Sequence, residues 1–173
     1  MANLVWHVNA FTINGAGGNA AVVCVLSEYP KAVQMQKIAA RMNVSETAFI
    51  VETKSTLKNL EKNFYHYTIR WFTPKVEIPL CGHATLAAAA VIFDKIHPQA
   101  TKIVFSASNG TSIIATKQLT KIALDFPLDY PQKKTLVIAP EFLKALSIST
   151  YKNAILGTNT AKLVIELADE KTL

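Results

Sequence analysis

Hydrophobic and polar residues alternate along most of the chain, a pattern that indicates β-strands with one buried face. The clearest case is residues 64–72, where four large apolar side chains occupy every second position. Asn109 and Gly110 predict a tight hairpin turn, because both residue types tolerate positive φ. Alternation or a short continuous apolar run predicts further strands at residues 4–11, 20–26, 47–51, 102–106, 111–116 and 121–126.

Two segments depart from this alternation and predict helices. Residues 31–42 predict an amphipathic helix with one apolar face, formed by Val33, Ile38, Ala39 and Met42. Residues 84–93 are rich in alanine and apolar on every side, and a helix of that kind is buried on every side. We therefore predict an α+β fold, in which a curved and mainly antiparallel sheet wraps around this central helix.

The end of the chain predicts fewer elements than its beginning. Residues 1–126 contain the predicted sheet and central helix, and Pro127 and Pro131 indicate a connector. Residues 127–173 then predict one helix at 141–146 and two strands at 153–156 and 161–167. These elements are too few to enclose a core, so we expect residues 127–173 to be an incomplete second domain.

Composition and charge exclude several classes of protein. Half of the residues are hydrophobic and 17% are charged, which excludes a disordered spacer. The net charge of +6 comes from scattered Lys and Arg residues, which favours an ordinary solvated surface over a nucleic-acid-binding domain, the weaker alternative. No apolar run has the length of a membrane span, and no signal peptide is recognisable. We expect a cytoplasmic protein that binds neither nucleic acid nor membrane.

The two cysteines, Cys24 and Cys81, are too few for a disulfide framework. Neither has another Cys or a His at a spacing typical of metal ligands, so the sequence predicts no metal site.

Three short segments could carry chemistry. Gly18 and Asn19 lie in a glycine turn that could bring backbone N–H groups close to an anion, or could simply connect two strands. Ser45 and Glu46 stand at the start of a buried strand, where desolvation suits a carboxyl group to acid/base work, although a surface glutamate is the simpler interpretation.

The third segment, residues 81–85, opens the apolar helix. Helix N-termini present unpaired N–H groups and a partial positive charge, so this is a natural site for a carboxylate. Gly82 permits a close approach there, and His83 adds a titratable group. A capping turn with a hydrogen-bonded histidine is the alternative interpretation.

Seven segments in a fixed order resemble one known family. They are residues 8–12 (VNAFT), 18–22 (GNAAV), 35–39 (MQKIA), 43–49 (NVSETAF), 70–74 (RWFTP), 81–86 (CGHATL) and 124–127 (LDFP). Together they resemble the PhzF-like, or phenazine-biosynthesis-like, proteins of the diaminopimelate-epimerase fold. The resemblance is strong over residues 3–127 and weaker beyond them.

The resemblance implies two similar halves, each a curved sheet around a helix, with an active site in the cleft between them. It implies an isomerase that transfers protons on a small carboxylated metabolite without cofactor or metal, usually as a homodimer. Glu46 falls on the acid/base glutamate of the family. Gly82 and His83 fall on its substrate-binding helix start, and Gly18 and Asn19 fall on its first binding turn. Ser45, which directly precedes Glu46, is also expected to bind the substrate.

This chain also departs from the family pattern. Cys81 occupies the place of one catalytic cysteine in the epimerase relatives, whereas Cys24 lies in a predicted strand and offers no second one. The second half of the family carries an Asp and a Ser that complete the site, and this sequence stops before that motif. We therefore expect the 173-residue form to be inactive. The alternative is a non-catalytic remnant, or a module of the same fold that binds small carboxylates.

Overall fold

The computed structural model describes residues 4–53, 63–132 and 136–170. They divide into two compact units, the first ending at Pro127 and the second beginning at Leu128. An eight-stranded sheet forms most of the first unit. Its strands are β1 (Leu4–Ala10), β2 (Asn19–Leu26), β3 (Glu46–Glu52), β4 (Phe64–Phe72), β5 (Glu77–Ile78), β6 (Lys102–Ala107), β7 (Ser112–Lys117) and β8 (Ile122–Asp125).

The sheet is mixed but mainly antiparallel, as predicted. Its order is β1-β2-β3-β4-β6-β7-β8, and the short β5 pairs with β4. Only β2–β3 and β4–β6 are parallel pairs among the described strands. Helix α2 (Gly82–Val91) contacts β1, β2 and β3 near one end of this order and β8 at the other. A flat sheet could not present both ends to one helix, so the sheet curls around α2.

Helix α2 is the predicted central helix, and its burial follows from its composition. Alanine dominates its ten residues, and six of the ten are buried. Small side chains let the surrounding strands approach closely, and Trp71, Tyr67 and Phe105 supply the bulk of the core around them. The chain continues past α2 into one π-helical turn, Ile92–Ile96.

Helix α1 (Ala32–Met42) packs in a second, smaller hydrophobic cluster, and its buried face differs from the predicted one only at Val33. Ile38, Ala39 and Met42 pack in this cluster, as predicted. Val33 is 66% exposed, whereas Met35 is fully buried together with Ala39. The prediction for Val33 was wrong because Met35, at i−4 from Ala39, completes the buried stripe instead. The helix ends at Asn43, which has a left-handed conformation with φ of 49°.

The turn at residues 109–110 is a hairpin connection, but not the two-residue type. Gly110 has a positive φ of 84°, while Asn109 is not among the residues with positive φ. A two-residue type I′ turn requires positive φ at both central positions. Instead, the Asn109 carboxamide accepts a hydrogen bond from the N–H of Thr111 and donates one to the carbonyl of Pro79.

The second unit contains helix α3 (Pro140–Ala145) and an antiparallel pair, β9 (Asn153–Leu156) with β10 (Leu163–Glu166). Among its described residues, Ala154 is the only one with a buried apolar side chain. The Asp129 carboxylate accepts hydrogen bonds from Thr160 and from the N–H of Asn159, which hold the pKa of this carboxyl below its usual value. Within the described part of the chain, no helix is long and apolar enough to cross a membrane.

Candidate active site

The parallel pairing of β2 and β3 brings two of the candidate segments together. Glu46 is the first residue of β3 and lies in register with Ala21 on β2. The residues just before this pair therefore meet at the same edge of the sheet. There the Ser45 hydroxyl donates a hydrogen bond of 2.8 Å to the side-chain oxygen of Asn19.

Gly18 is required by the turn that leads into β2. Its φ is +87°, and a Cβ at this position would lie 2.5 Å from the carbonyl oxygen of Ala10. Both the backbone conformation and the close approach therefore demand glycine. This turn sets the position of Asn19, the first residue of β2. It therefore also sets the position at which the Asn19 side chain contacts Ser45.

Helix α2 begins next to Glu46. Cys81 is its N-cap residue, with an extended backbone, and its side chain makes no capping hydrogen bond. Gly82 and His83 are the first two helical residues. The first N–H groups of an α-helix have no partner within the helix, and they carry its partial positive charge. The start of α2 therefore favours a negatively charged group.

His83 joins this helix start to β3. Its Nε2 atom lies 3.1 Å from Oε2 of Glu46, and its Nδ1 atom lies 3.4 Å from the sulfur of Cys81. The His83 side chain is 10% exposed and that of Glu46 is 18% exposed. Despite this short contact, Nε2 has no hydrogen-bond partner among the described residues.

A buried hydroxyl anchors the start of α2 to the sheet. Thr85 donates a hydrogen bond of 2.6 Å to the carbonyl of Cys81 and accepts one of 3.1 Å from the indole N–H of Trp71 on β4. Thr85 is fully buried, so both bonds are shielded from water. Sequence reasoning missed this pair. A threonine inside an otherwise apolar helix was the available signal, because a buried hydroxyl needs a partner.

The structure thus links all the predicted site residues through neighbours in the chain and side-chain contacts. Gly18 and Asn19 reach Ser45, Ser45 precedes Glu46, and Glu46 contacts His83, which follows Gly82. The clustering of donor atoms was not foreseen. One atom each from Glu46, Cys81 and His83 lies within 4.8 Å of the other two, although 35 positions separate Glu46 from Cys81 in the sequence.

A cleft of about 620 Å³ lies elsewhere on the first unit. It is lined by the end of β1, by Leu86 and Ala90 of α2, and by residues 117–122 between β7 and β8. None of the predicted site residues lines it. The size of a cleft therefore does not locate the candidate chemistry in this unit.

A second glutamate–histidine pair occupies the opposite end of β3. The Nε2 atom of His97 lies 3.4 Å from Oε2 of Glu52, the last residue of the strand. The His97 ring stacks on Tyr65 with 3.7 Å between centroids, and the Tyr67 hydroxyl lies 3.5 Å from Glu52. Burial raises the pKa of Tyr67, and Glu52 raises it further. This pair lies away from the start of α2, so it serves as an internal control for Glu46.

Comparison with known proteins identifies the family. The sequence profile described as phenazine biosynthesis-like protein matches residues 8–173, which is almost the entire chain. The chain belongs to the phenazine biosynthesis-like family. Within this family, it is 36% identical over 171 residues to a phenazine biosynthesis-like domain-containing protein of Rattus norvegicus, and it covers 57% of that protein. It is 34% identical to an uncharacterized isomerase of Halalkalibacterium halodurans, of which it covers 60%.

Solved structures of the phenazine biosynthesis-like family confirm the predicted fold. A PhzF family protein of Enterococcus faecalis is 37% identical and superimposes with a TM-score of 0.75 over 99% of this chain and 60% of its own. A Pseudomonas aeruginosa protein described as a predicted epimerase has a TM-score of 0.71 at 15% identity, which shows the fold alone. The chain thus spans about 60% of the length of the relatives that it matches.

Proposed function

We propose that Glu46 moves a proton at a carbon atom of a small carboxylated metabolite, in an isomerase-type reaction that uses no cofactor. The observation that carries this proposal is the 3.1 Å contact between the Glu46 carboxylate and His83 at the start of a buried helix. A partly buried carboxyl group beside an imidazole is suited to general acid/base catalysis. The isomerase name of the Halalkalibacterium halodurans relative supports the same reaction class.

The roles of the neighbouring residues follow from their positions. The N–H groups at the start of α2 are suited to hold the carboxylate of the substrate, because they are positively polarised and Gly82 carries no side chain to obstruct them. His83 is close enough to Glu46 to exchange a proton with it. The hydrogen bond between Ser45 and Asn19 holds the start of β3, and therefore Glu46, against the glycine turn.

Titration with small anions tests the binding half of this proposal. Malonate and sulfate are added to the ¹⁵N-labelled chain while the backbone amides are followed by NMR. We expect saturable shifts at Gly82, His83 and Ala84. The start of α1 provides the control, because the Gln34 side chain already accepts a hydrogen bond from the N–H of Lys31 there. Shifts confined to α1 and to surface lysines would contradict the binding site.

Hydrogen exchange at carbon tests the catalytic half. The chain is incubated in D₂O with a panel of small carboxylic acids, and deuterium incorporation is measured by mass spectrometry. Glu46→Gln keeps the shape of the side chain but removes its acid/base function, so we expect any exchange by the wild type to fall at least ~10²-fold. Unchanged exchange in Glu46→Gln would exclude Glu46 as the proton-transfer group.

Glu52→Gln is the matched control for this substitution. Glu52 ends the strand that Glu46 begins, and each glutamate lies beside a histidine, so the two variants perturb β3 similarly. We expect Glu52→Gln to retain the wild-type exchange rate. The second candidate is a carboxylate-binding module of the same fold. Because the 173-residue form is expected to be inactive, anion shifts at α2 without exchange agree with both candidates, whereas exchange that depends on Glu46 would exclude the second.

A further inference from the structure

Three different metal-binding atom types converge at the start of α2. A carboxylate oxygen of Glu46, the sulfur of Cys81 and a ring nitrogen of His83 all lie within 4.8 Å of one another. Nε2 of His83 lies 3.1 Å from Glu46, and the other ring nitrogen, Nδ1, lies 3.4 Å from the sulfur of Cys81. The three residues come from β3 and from the first turn of α2, which are elements fixed by the core of the unit.

The imidazole of His83 provides a second, independent observation. Its side chain is nine-tenths buried, and Nε2 has no hydrogen-bond partner among the described residues even though Glu46 is only 3.1 Å away. A buried polar atom without a partner is destabilising. A cation bound at Nε2 would accept the lone pair of this nitrogen and remove that penalty.

The donor set defines the class of cation. Thiolate, imidazole and carboxylate together suit zinc, whereas calcium and magnesium are bound by oxygen atoms. Zinc bonds of about 2.0–2.3 Å in a tetrahedral arrangement place donor atoms roughly 3.3–3.6 Å apart. A single cation binds one ring nitrogen of His83, so with Nε2 as the ligand the Glu46 contact is already near this spacing and the Cys81 sulfur must move closer. Three protein ligands leave the fourth position open.

We propose that Glu46, Cys81 and His83 together bind one divalent cation of the zinc class. Binding replaces the proton of the Cys81 thiol, which is released to solvent as the sulfur–metal bond forms. The site needs only these three side chains, so it does not rest on the proposed function.

Cobalt titration tests the binding directly, because a thiolate bound to Co²⁺ gives a strong charge-transfer absorption in the near ultraviolet. We expect one Co²⁺ per chain, bound with this absorption, and its displacement by an equivalent of Zn²⁺. Cys81→Ala should abolish the absorption. Glu46→Gln should keep it but weaken cobalt affinity at least about 10-fold, since losing even an outer-shell partner costs about 10–100-fold.

Cys24→Ala is the matched control. Cys24 lies on β2 in the core cluster that includes Met35 of α1, and burial raises the pKa of its thiol to about 11, so it remains protonated near neutral pH. We expect this variant to bind cobalt as the wild type does. The proposal is overturned if the wild type shows no thiolate–cobalt absorption, or if the absorption persists in Cys81→Ala.

The two proposals fail in different ways. Cobalt binding that requires Cys81, in a chain that shows neither anion shifts at α2 nor carbon exchange, would support the metal site and contradict the proposed function. Anion shifts and exchange without cobalt binding would do the reverse. Circular dichroism of each variant monitors folding. If Cys81→Ala does not fold, loss of the absorption in His83→Gln tests the same site, and its persistence in that variant contradicts the proposal.

Discussion

Thr85 connects the start of α2 to the sheet through one hydroxyl group. The hydroxyl donates to the carbonyl of Cys81 and accepts from Trp71, and it is fully buried. Thr85→Val has nearly the same shape but leaves the indole N–H of Trp71 without a partner. We expect the free energy of unfolding to fall by about 1–3 kcal/mol, measured by urea denaturation.

Thr85→Ser is the control for this substitution, because it keeps the hydroxyl and removes a methyl group. We expect it to cost about 1 kcal/mol or less, since roughly one buried methyl is lost. Amide shifts at Gly82 and His83 should change in Thr85→Val and not in Thr85→Ser. A Thr85→Val variant as stable as the wild type would show that these hydrogen bonds do not stabilise the start of the helix.

The residue types of the site could be predicted from the sequence, but the contacts between them could not. The position of Glu46 before a buried strand and that of His83 at a helix start were both recognisable. Their 3.1 Å contact depends on how β3 and α2 pack, and these elements are separated along the chain. The proximity of the Cys81 sulfur to His83 and Glu46 was missed for the same reason, since the spacing of these residues along the sequence does not reveal it.

At the scale of elements, the glycine turn before β2 positions one edge of the site. Gly17 and Gly18 both have positive φ, but only Gly18 lies against the backbone of Ala10. We expect Gly17→Ala to cost about 1–2 kcal/mol for the left-handed conformation alone. Gly18→Ala should cost at least about 1 kcal/mol more, because its Cβ would clash with backbone atoms. Urea denaturation measures both variants.

Gly18→Ala should also displace the residues that this turn positions. We expect amide shifts at Asn19 and Ser45 in Gly18→Ala and not in Gly17→Ala, because only the former moves the start of β2. Equal costs and equal shift patterns for the two variants would mean that the close approach to Ala10 does not constrain the turn.

The type of each element was easier to predict from the sequence than the face that it buries. The apolar run at residues 84–93 correctly predicted a buried helix, because a segment without a polar face has only one stable position. One residue of the α1 face was mispredicted, since Val33 and Met35 are both apolar and only tertiary packing decides between them. The hairpin at Gly110 was recognised, but its type depends on side-chain hydrogen bonds of Asn109 that the dipeptide does not reveal.

At the scale of the whole molecule, the two units differ in how much apolar surface they bury. In the first unit, two hydrophobic clusters surround α2 and pack beneath α1. In the second, Leu163 and Val164 of β10 are exposed, and Ala154 is the only buried apolar side chain among the described residues. A two-stranded sheet with little burial is marginally stable in water.

We therefore expect the second unit to open at a lower free energy than the first. In native-state hydrogen exchange, amides paired between β3 and β4 should be protected at least about 100-fold more than those paired between β9 and β10. Repeating the measurement at a tenfold higher protein concentration tests the homodimer. If a second copy covers β10, protection of its amides rises with concentration, while that of β4 stays the same. Equal protection of both units at every concentration would contradict the difference in stability, because β9 and β10 would then unfold only together with the core of the first unit.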